Sequence, residues 1–575
     1  MHFGLQSMFY KYTWAKNFWD QGRKDTAVYN MNLCCNRRDS AALQAVVCSD
    51  VEDFVLAVSK DSFFWKGGPL KIVRMELEME GSLTSEVKLV GFIEDDDRSL
   101  KSDVLLEDRH IFVSKRQIQQ VWLEFEAGEN TPAGSYEGKL KFYSHTLFED
   151  EVLEKELTFT VTVNEEQLPE ARDYTFYLDL WQHNCNIARK YQVEYWSDEH
   201  FGILEQYLQK LADLGQKALS VLISESAWNG QQTYLDREPH DLFEYSIVPV
   251  RRASDGTFFY DFSFLDRYIA LGEKYGITSE IEIFGLLNNW QYPDAGYGAI
   301  VEGYPDAIRI RYYDEAGGCY RFMREAAQVK DYISALETHC VEKEWIDRVR
   351  IVADEPADWE LFQQRMTILR EAAPAFSYKT AINHVEFIRK EATGIKDYVP
   401  LFSAVVTEYE YLQSMRPLIP GKLVYYVCCE PSRPNTFLKS PSIEARVIPW
   451  MVEKLKLDGF LRWNYTAWTD RPLENIICRP TVWPAGDTNF VYPGPNGKPL
   501  LSLRYKWLQR GIRDYEFMQL LKQSGRGDQV ERALQKVFRF QEISDLHGDS
   551  GIPSQQLYSF EPDDYDELYR SGQGN

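Results

Sequence analysis

The stretch Arg350-Ile351-Val352-Ala353-Asp354-Glu355-Pro356 sets the reading of this chain. An apolar run leads directly into two adjacent carboxylates, and a proline follows. Two neighbouring carboxyl groups at a strand end, held where water is scarce, do not both ionise readily. One keeps its proton, which suits general acid catalysis. The same letters also have a purely structural reading, with Glu355 as a helix N-cap and Pro356 at the first helical position. The rest of the chain decides between them.

Outward from this run, the chain after residue 173 alternates strand-like runs with longer segments that can hold helices. Strands are expected at 175–180, 217–223, 279–284, 349–353, 378–382, 402–406, 422–427 and 459–463. Helices are expected between several of them, including 199–214, 264–275 and 442–457. This β-then-α alternation predicts an α/β fold, a (β/α)8 TIM-like barrel spanning about 290 residues. An open α/β sheet is the other arrangement. A helix follows at 503–521, where Asp514 and Glu516 read as surface or salt-bridge residues, and the stretch from 549 reads as polar and irregular.

Residues 1 to 168 read differently. Short runs at 53–58, 75–79, 87–92, 121–126, 138–143 and 157–163 have strand character, several with period-two alternation. Residues 130–136 are a turn signal, and the polar segment 164–170 reads as a linker. The expectation is an N-terminal β-sandwich domain over 1–168, a catalytic domain with a helical C-terminal segment over 169–548, and a polar tail over 549–575.

The composition narrows the function classes. A formal net charge of -24 argues against a nucleic-acid backbone or an anionic membrane surface as the main partner. Aromatic residues make up 14% of the chain, enough to furnish both a core and stacking platforms for sugars. The nine cysteines lack any C-x-x-C or zinc-ligand spacing, which fits free thiols in a reducing compartment. The first residues lack a basic stretch followed by an apolar one, and no stretch approaches 18 apolar residues. A cytoplasmic protein without a membrane span is therefore expected. No P-loop and no dinucleotide fingerprint occurs, so no metal or nucleotide cofactor is expected.

A barrel enzyme carries its site at the C-terminal ends of its strands. The first expected strand ends in Trp181-Gln182-His183, the second leads to Trp228 and Asn229, and the third to Trp290. The fourth ends in Asp354-Glu355 and the sixth leads to Glu408 and Tyr409. The seventh leads through Cys428 and Cys429 to Glu430, Arg433 and Asn435, and the eighth to Trp463, Tyr465 and Trp468. Singly, a strand-end Trp is more often core than platform, His183 reads equally well as a buried histidine, and the two cysteines are small hydrophobes. Together, at one face, these residues are the equipment for holding a carbohydrate.

Two-carboxylate glycosidases set their groups about 5–5.5 Å apart when retaining and about 6.5–9.5 Å when inverting, on either side of the sugar. Asp354 and Glu355 approach from one wall. That suits a substrate that brings its own nucleophile, a 2-acetamido sugar whose carbonyl attacks the anomeric carbon. Glu355 would protonate the leaving oxygen, and Asp354 would orient the acetamide N–H. A hydroxyl for the acetamide oxygen could come from Tyr313, Tyr409 or Tyr465.

At these residues the chain resembles glycoside hydrolase family 123, the β-N-acetylgalactosaminidases. The resemblance spans about residues 120 to 520. It rests on 121–143, on LDLWQH at 178–183, on ADEP at 353–356 and on CCEPSRPNTFL at 428–438. DGFLRWNY at 458–465 and YPGP at 492–495 complete it. It implies an N-terminal sandwich, a (β/α)8 catalytic domain, and Asp354 and Glu355 as the catalytic pair. It also implies retaining, substrate-assisted removal of terminal β-linked GalNAc, with glycosphingolipid glycans as associated substrates. Two other readings stay open: a glycosidase pairing Glu355 with Glu408 or Glu430, and a glycan-binding protein without activity.

Overall fold

The computed structural model describes residues 1–14, 24–59, 70–227, 243–287, 309–356, 359–389, 394–478 and 482–570. The N-terminal region holds two six-stranded sheets that share one apolar core. One sheet centres on Asp39–Cys48 and Ile118–Ala127, the other on Gly134–Thr146 and Val152–Gln167. The chain curls from one sheet into the other at Arg38, whose φ is +55°. The expected strands all appear, several of them longer. The segment expected as a linker is partly strand, because Val152–Gln167 continues through Asn164 to pair with Arg37.

Among the described residues of the second half, eight strands form two parallel sheets, labelled here in chain order: β1 (Tyr177–Leu180), β2 (Ala218–Leu222), β3 (Glu280–Phe284), β4 (Val349–Asp354), β5 (Ser377–Ile382), β6 (Ile395–Pro400), β7 (Val424–Tyr426) and β8 (Gly459–Arg462). Strands β2 to β6 form one sheet in sequence order, and β1, β8 and β7 form another. Isolated parallel bridges join their edges: Leu178 to Gln216 on one side, Tyr398 to Leu423 and Leu401 to Tyr426 on the other. Helices between the strands include α1 (Asp198–Asp213), α2 (Ser263–Lys274), α3 (Ala326–Glu342), α4 (Trp359–Ala372), α5 (Phe402–Thr407) and α6 (Ser442–Leu455).

The sixth strand is a correction. Residues 402–406 were expected as strand, and they are helix α5; the strand is Ile395–Pro400 just before it. Its polar letters disguise it. Asp397 is buried but paired, accepting from Arg350 Nε at 2.5 Å and from the Lys422 amide at 2.7 Å, so it stitches β4, β6 and the approach to β7.

Helix α7 (Leu503–Gln523) lies between the two halves and is buried nearly all round. Its charges therefore need partners. Arg504 pairs with Asp103 at 2.9 Å, Lys506 with Glu124 at 2.6 Å and Arg510 with Asp39 at 3.4 Å. Asp514 makes one of the two expected kinds of contact, a salt bridge with Arg446, and Glu516 accepts the Phe176 amide at 2.7 Å; both are buried, not at the surface. The described part of the stretch from 549, expected as irregular, holds a helix near its end. Helix α8 (Pro562–Arg570) buries Tyr565, Leu568 and Tyr569. No helix among the described residues is long and apolar enough to cross a membrane.

Candidate active site

Strand β4 delivers Asp354 as its last residue, opposite Ala381 of β5. Glu355 continues the ladder for one more bond, its amide donating to Ala381 O at 2.8 Å. Its φ is +44°, a left-handed conformation costly for a residue with a side chain. Pro356 is not helical and the Glu355 amide is engaged by β5, so Glu355 belongs to the strand ladder rather than to a helix cap. Both carboxylates are half-buried.

Three elements converge on Glu355. From the end of β7, the Tyr426 hydroxyl donates to Glu355 Oε1. From the turn after β5, Asn383 Nδ2 approaches Oε2 at 3.5 Å. Beside it His384 bonds Pro356 O through Nε2 at 3.1 Å and accepts the Glu386 amide on Nδ1, which fixes one tautomer. Burial raises the pKa of the Glu355 carboxyl above its ordinary value; the Tyr426 hydrogen bond opposes this and the charge of exposed Glu430 adds to it. A carboxyl so placed holds a proton in the range where ordinary carboxylates have lost theirs.

The other expected site residues divide sharply. Glu430 remains at the site by its electrostatic effect on Glu355. Asn435 and Arg433 brace the loop instead. Asn435 Nδ2 donates to Cys428 O and Pro431 O at 3.0 and 2.7 Å, and its Oδ1 accepts from buried Arg462 at 2.7 Å. Arg433 reaches Ile552 O and Ser550 in the C-terminal segment. His183 is wholly buried, 6.2 Å from the Trp463 ring, and burial lowers its pKa to about 3, so it stays neutral and out of a ligand's reach. Trp463 donates to Asp487 at 3.3 Å and packs 5.0 Å from Trp483, both rings nearly covered.

Tyr465 and Trp468 turn toward α1 and pack around Tyr207, with Trp468 Nε1 donating to Val491 O at 2.7 Å. Tyr409 bonds Leu455 O, at the end of α6 where the chain enters β8, the opposite end of the strands from Asp354. Glu408 follows α5, which replaces the expected sixth strand, so it does not stand at a strand end. Tyr313 lies in a small sheet built by the connections after β2 and β3. Trp228, Asn229 and Trp290 lie outside the described residues. Cys428 and Cys429 are free thiols with Sγ atoms 3.8 Å apart.

Sequence reasoning missed Tyr426, Asn383 and His384. Tyr426 sits inside the expected seventh strand, where alternation with Val424 could have placed it on one face. The expected fifth strand was followed only to its end at Ile382.

The catalytic-domain model of glycoside hydrolase 123 matches residues 181–521. The chain belongs to glycoside hydrolase family 123. It is a glycoside hydrolase, and the pair on β4 lies within the matched span. A family 123 glycoside hydrolase from Clostridium perfringens, described for glycolipid glycan hydrolysis, superposes with TM-score 0.74 at 17% identity, covering 98% of this chain and 96% of its own. A cyclomaltodextrinase reaches TM-score 0.29 at 11% identity, covering 84% of this chain and 82% of its own. A β-D-glucuronidase for Dictyoglomus thermophilum reaches 0.28 at 11%, covering 90% and 68%. No curated protein matches the chain. The family 123 relation thus rests on the sequence model, and the Clostridium superposition shows a shared fold.

Proposed function

We propose that this family 123 protein is a retaining exo-glycosidase that removes terminal β-linked N-acetylgalactosamine by substrate-assisted catalysis. The observation that carries this is the adjacency of Asp354 and Glu355 on one strand end, with Glu355 held by Tyr426 and pushed by burial toward its protonated form. Glu355 donates its proton to the glycosidic oxygen. The substrate's acetamide oxygen attacks the anomeric carbon, and Asp354 holds the acetamide N–H and offsets the positive charge of the cyclic intermediate. Glu355, now a carboxylate, takes the proton from the water that opens that ring. The hydroxyls of Tyr409 and Tyr465 donate to Leu455 O and Tyr207 O, and that of Tyr426 is given to Glu355.

The same proposal includes one closed (β/α)8 barrel, supported by the bridges that join both edges of the two parallel sheets, and a sandwich for the N-terminal sheets, supported by their common core. A second reading, with Glu430 as the partner carboxylate, is favoured by its charge at Glu355. An aryl β-GalNAc glycoside and the matching β-galactoside separate the two. Hydrolysis of the first alone, with strong inhibition by a thiazoline analogue of the intermediate, supports acetamide participation. Equal hydrolysis of both, without that inhibition, overturns it.

A further inference from the structure

Two strands along from Asp354 and Glu355, about 10 Å across the strand ends at ordinary strand spacing, β2 runs on to Glu225. This carboxylate is buried, and it opens on a cavity of 640 Å³ that contains neither member of the pair on β4. The cavity wall is an added four-stranded sheet: Val250–Arg252 and Phe258–Tyr260 from the connection after β2, Arg311–Asp314 and Cys319–Phe322 from the connection after β3. Both connections rise from the face that carries the catalytic pair.

At its centre Arg311 Nε meets Glu225 Oε1 at 2.8 Å. The guanidinium lies over the rings of Tyr320 at 4.8 Å and Tyr245 at 5.4 Å. Tyr195 stands 4.8 Å from Tyr245, and Tyr313 stands 5.3 Å from Tyr320. The cavity therefore offers several aromatic faces around one ion pair whose charges offset each other. Tyr320, on the exposed edge strand of this sheet, keeps 66% of its surface open to solvent. The size is that of a small-molecule site. Aromatic faces receive the C–H surfaces of sugars, and a paired Glu–Arg offers acceptors and donors to hydroxyls without demanding a charged ligand. Burial also raises the Glu225 carboxyl to about 7, with Arg311 opposing, so near neutrality it can both give and accept hydrogen bonds.

We propose that this cavity holds the reducing-side sugars of a neutral oligosaccharide whose terminal residue is cleaved at Asp354 and Glu355. The inference rests on the glycosidase reading above. Its test compares a β-GalNAc-terminated neutral tetrasaccharide with an aryl β-GalNAc glycoside, which has no second sugar. Tyr320→Ala and Arg311→Gln are each expected to lower the ratio of kcat/KM values, tetrasaccharide over aryl glycoside, by about ten-fold, the scale of one lost polar or stacking contact. A loss of the same factor on both substrates, or an unchanged ratio, overturns the subsite while leaving the glycosidase reading intact. Exposed Tyr320 keeps the test valid if Arg311→Gln disturbs folding. A sialylated tetrasaccharide cleaved in preference to the neutral one overturns the assignment of an uncharged ligand. Failure of the wild type on both GalNAc substrates removes the glycosidase reading first and the subsite with it.

Discussion

The parallel strands carry two groupings of carboxylates, and the contrast between them separates structure from chemistry. Midway along the strands, Asp179 of β1 and Glu280 and Glu282 of β3 surround Lys379 of β5 at 2.6, 2.9 and 2.7 Å, all four wholly buried. One residue past the end of β4, Glu355 meets a tyrosine hydroxyl and, at 3.5 Å, an asparagine. Burial raises the pKa of Glu280, Glu282 and Glu355 alike. The lower set is clamped by a fixed ammonium and sealed from water, so its protons have nowhere to go. The upper pair is half-exposed and its partner is a neutral donor, so its proton can leave and return. A shifted carboxyl becomes an acid catalyst only when its environment can tolerate both states.

Glu355→Gln breaks the upper grouping most directly. Turnover of a GalNAc oligosaccharide is expected to fall by about 10²–10⁴-fold, the usual worth of a positioned acid. The loss should be much smaller on an aryl glycoside whose leaving group needs little protonation, and steady-state assays on both substrates read this split. Lys379→Met attacks the lower grouping. It leaves three buried carboxylates without their cation, at a cost of about 3–5 kcal/mol in unfolding free energy measured with urea. If this variant kept full stability and lost activity instead, the division between the two groupings would collapse.

Asp354→Asn sharpens the comparison further. It is expected to lose about 10²-fold even on the aryl glycoside, because charge at the acetamide matters whatever the leaving group. Activity equal to wild type would remove Asp354 from the mechanism. The smallest effect belongs to Tyr426→Phe. The hydroxyl favours the Glu355 carboxylate, so losing it raises the pKa of the acid. The protonated form then persists to higher pH, and the alkaline limb of the kcat/KM profile moves upward by about one unit, the worth of one hydrogen bond. A downward shift would reverse the assigned roles.

The candidate pair was legible because its chemistry is local: an apolar run, two carboxylates and a proline stand side by side at 350–356. Seven of the eight strands were legible as short strand-like runs. The sixth was not, since Asp397 is tolerated inside it through Arg350, forty-seven positions away, and the Lys422 amide. The same limit explains the substrate-binding candidates. Trp468, Tyr465 and His183 carry the right side chains but face the core, and only the packing of α1 and the loops after β8 reveals that. Tyr426 failed to stand out for the converse reason, because inside a strand a tyrosine reads as β propensity until its neighbour across the sheets is known.

Helix α7 makes the two halves of the molecule a single mechanical and thermodynamic object. Its cations Arg504, Lys506 and Arg510 are neutralised by acids that the N-terminal sheets supply. A fragment confined to the catalytic span would lose the acids that pair with Arg504 and Lys506 and would uncover the apolar face beneath the sheets, and it is expected to precipitate or stay unfolded. The intact chain should melt in one step. Acid is its natural solvent for disassembly: Glu124, against its burial, is held down to about 2 by Lys506 and Arg513. Its contribution is complete above the ordinary glutamate value of 4.5 and fades as pH falls toward 2. Circular dichroism followed down that interval should show sheets and catalytic strands lost together.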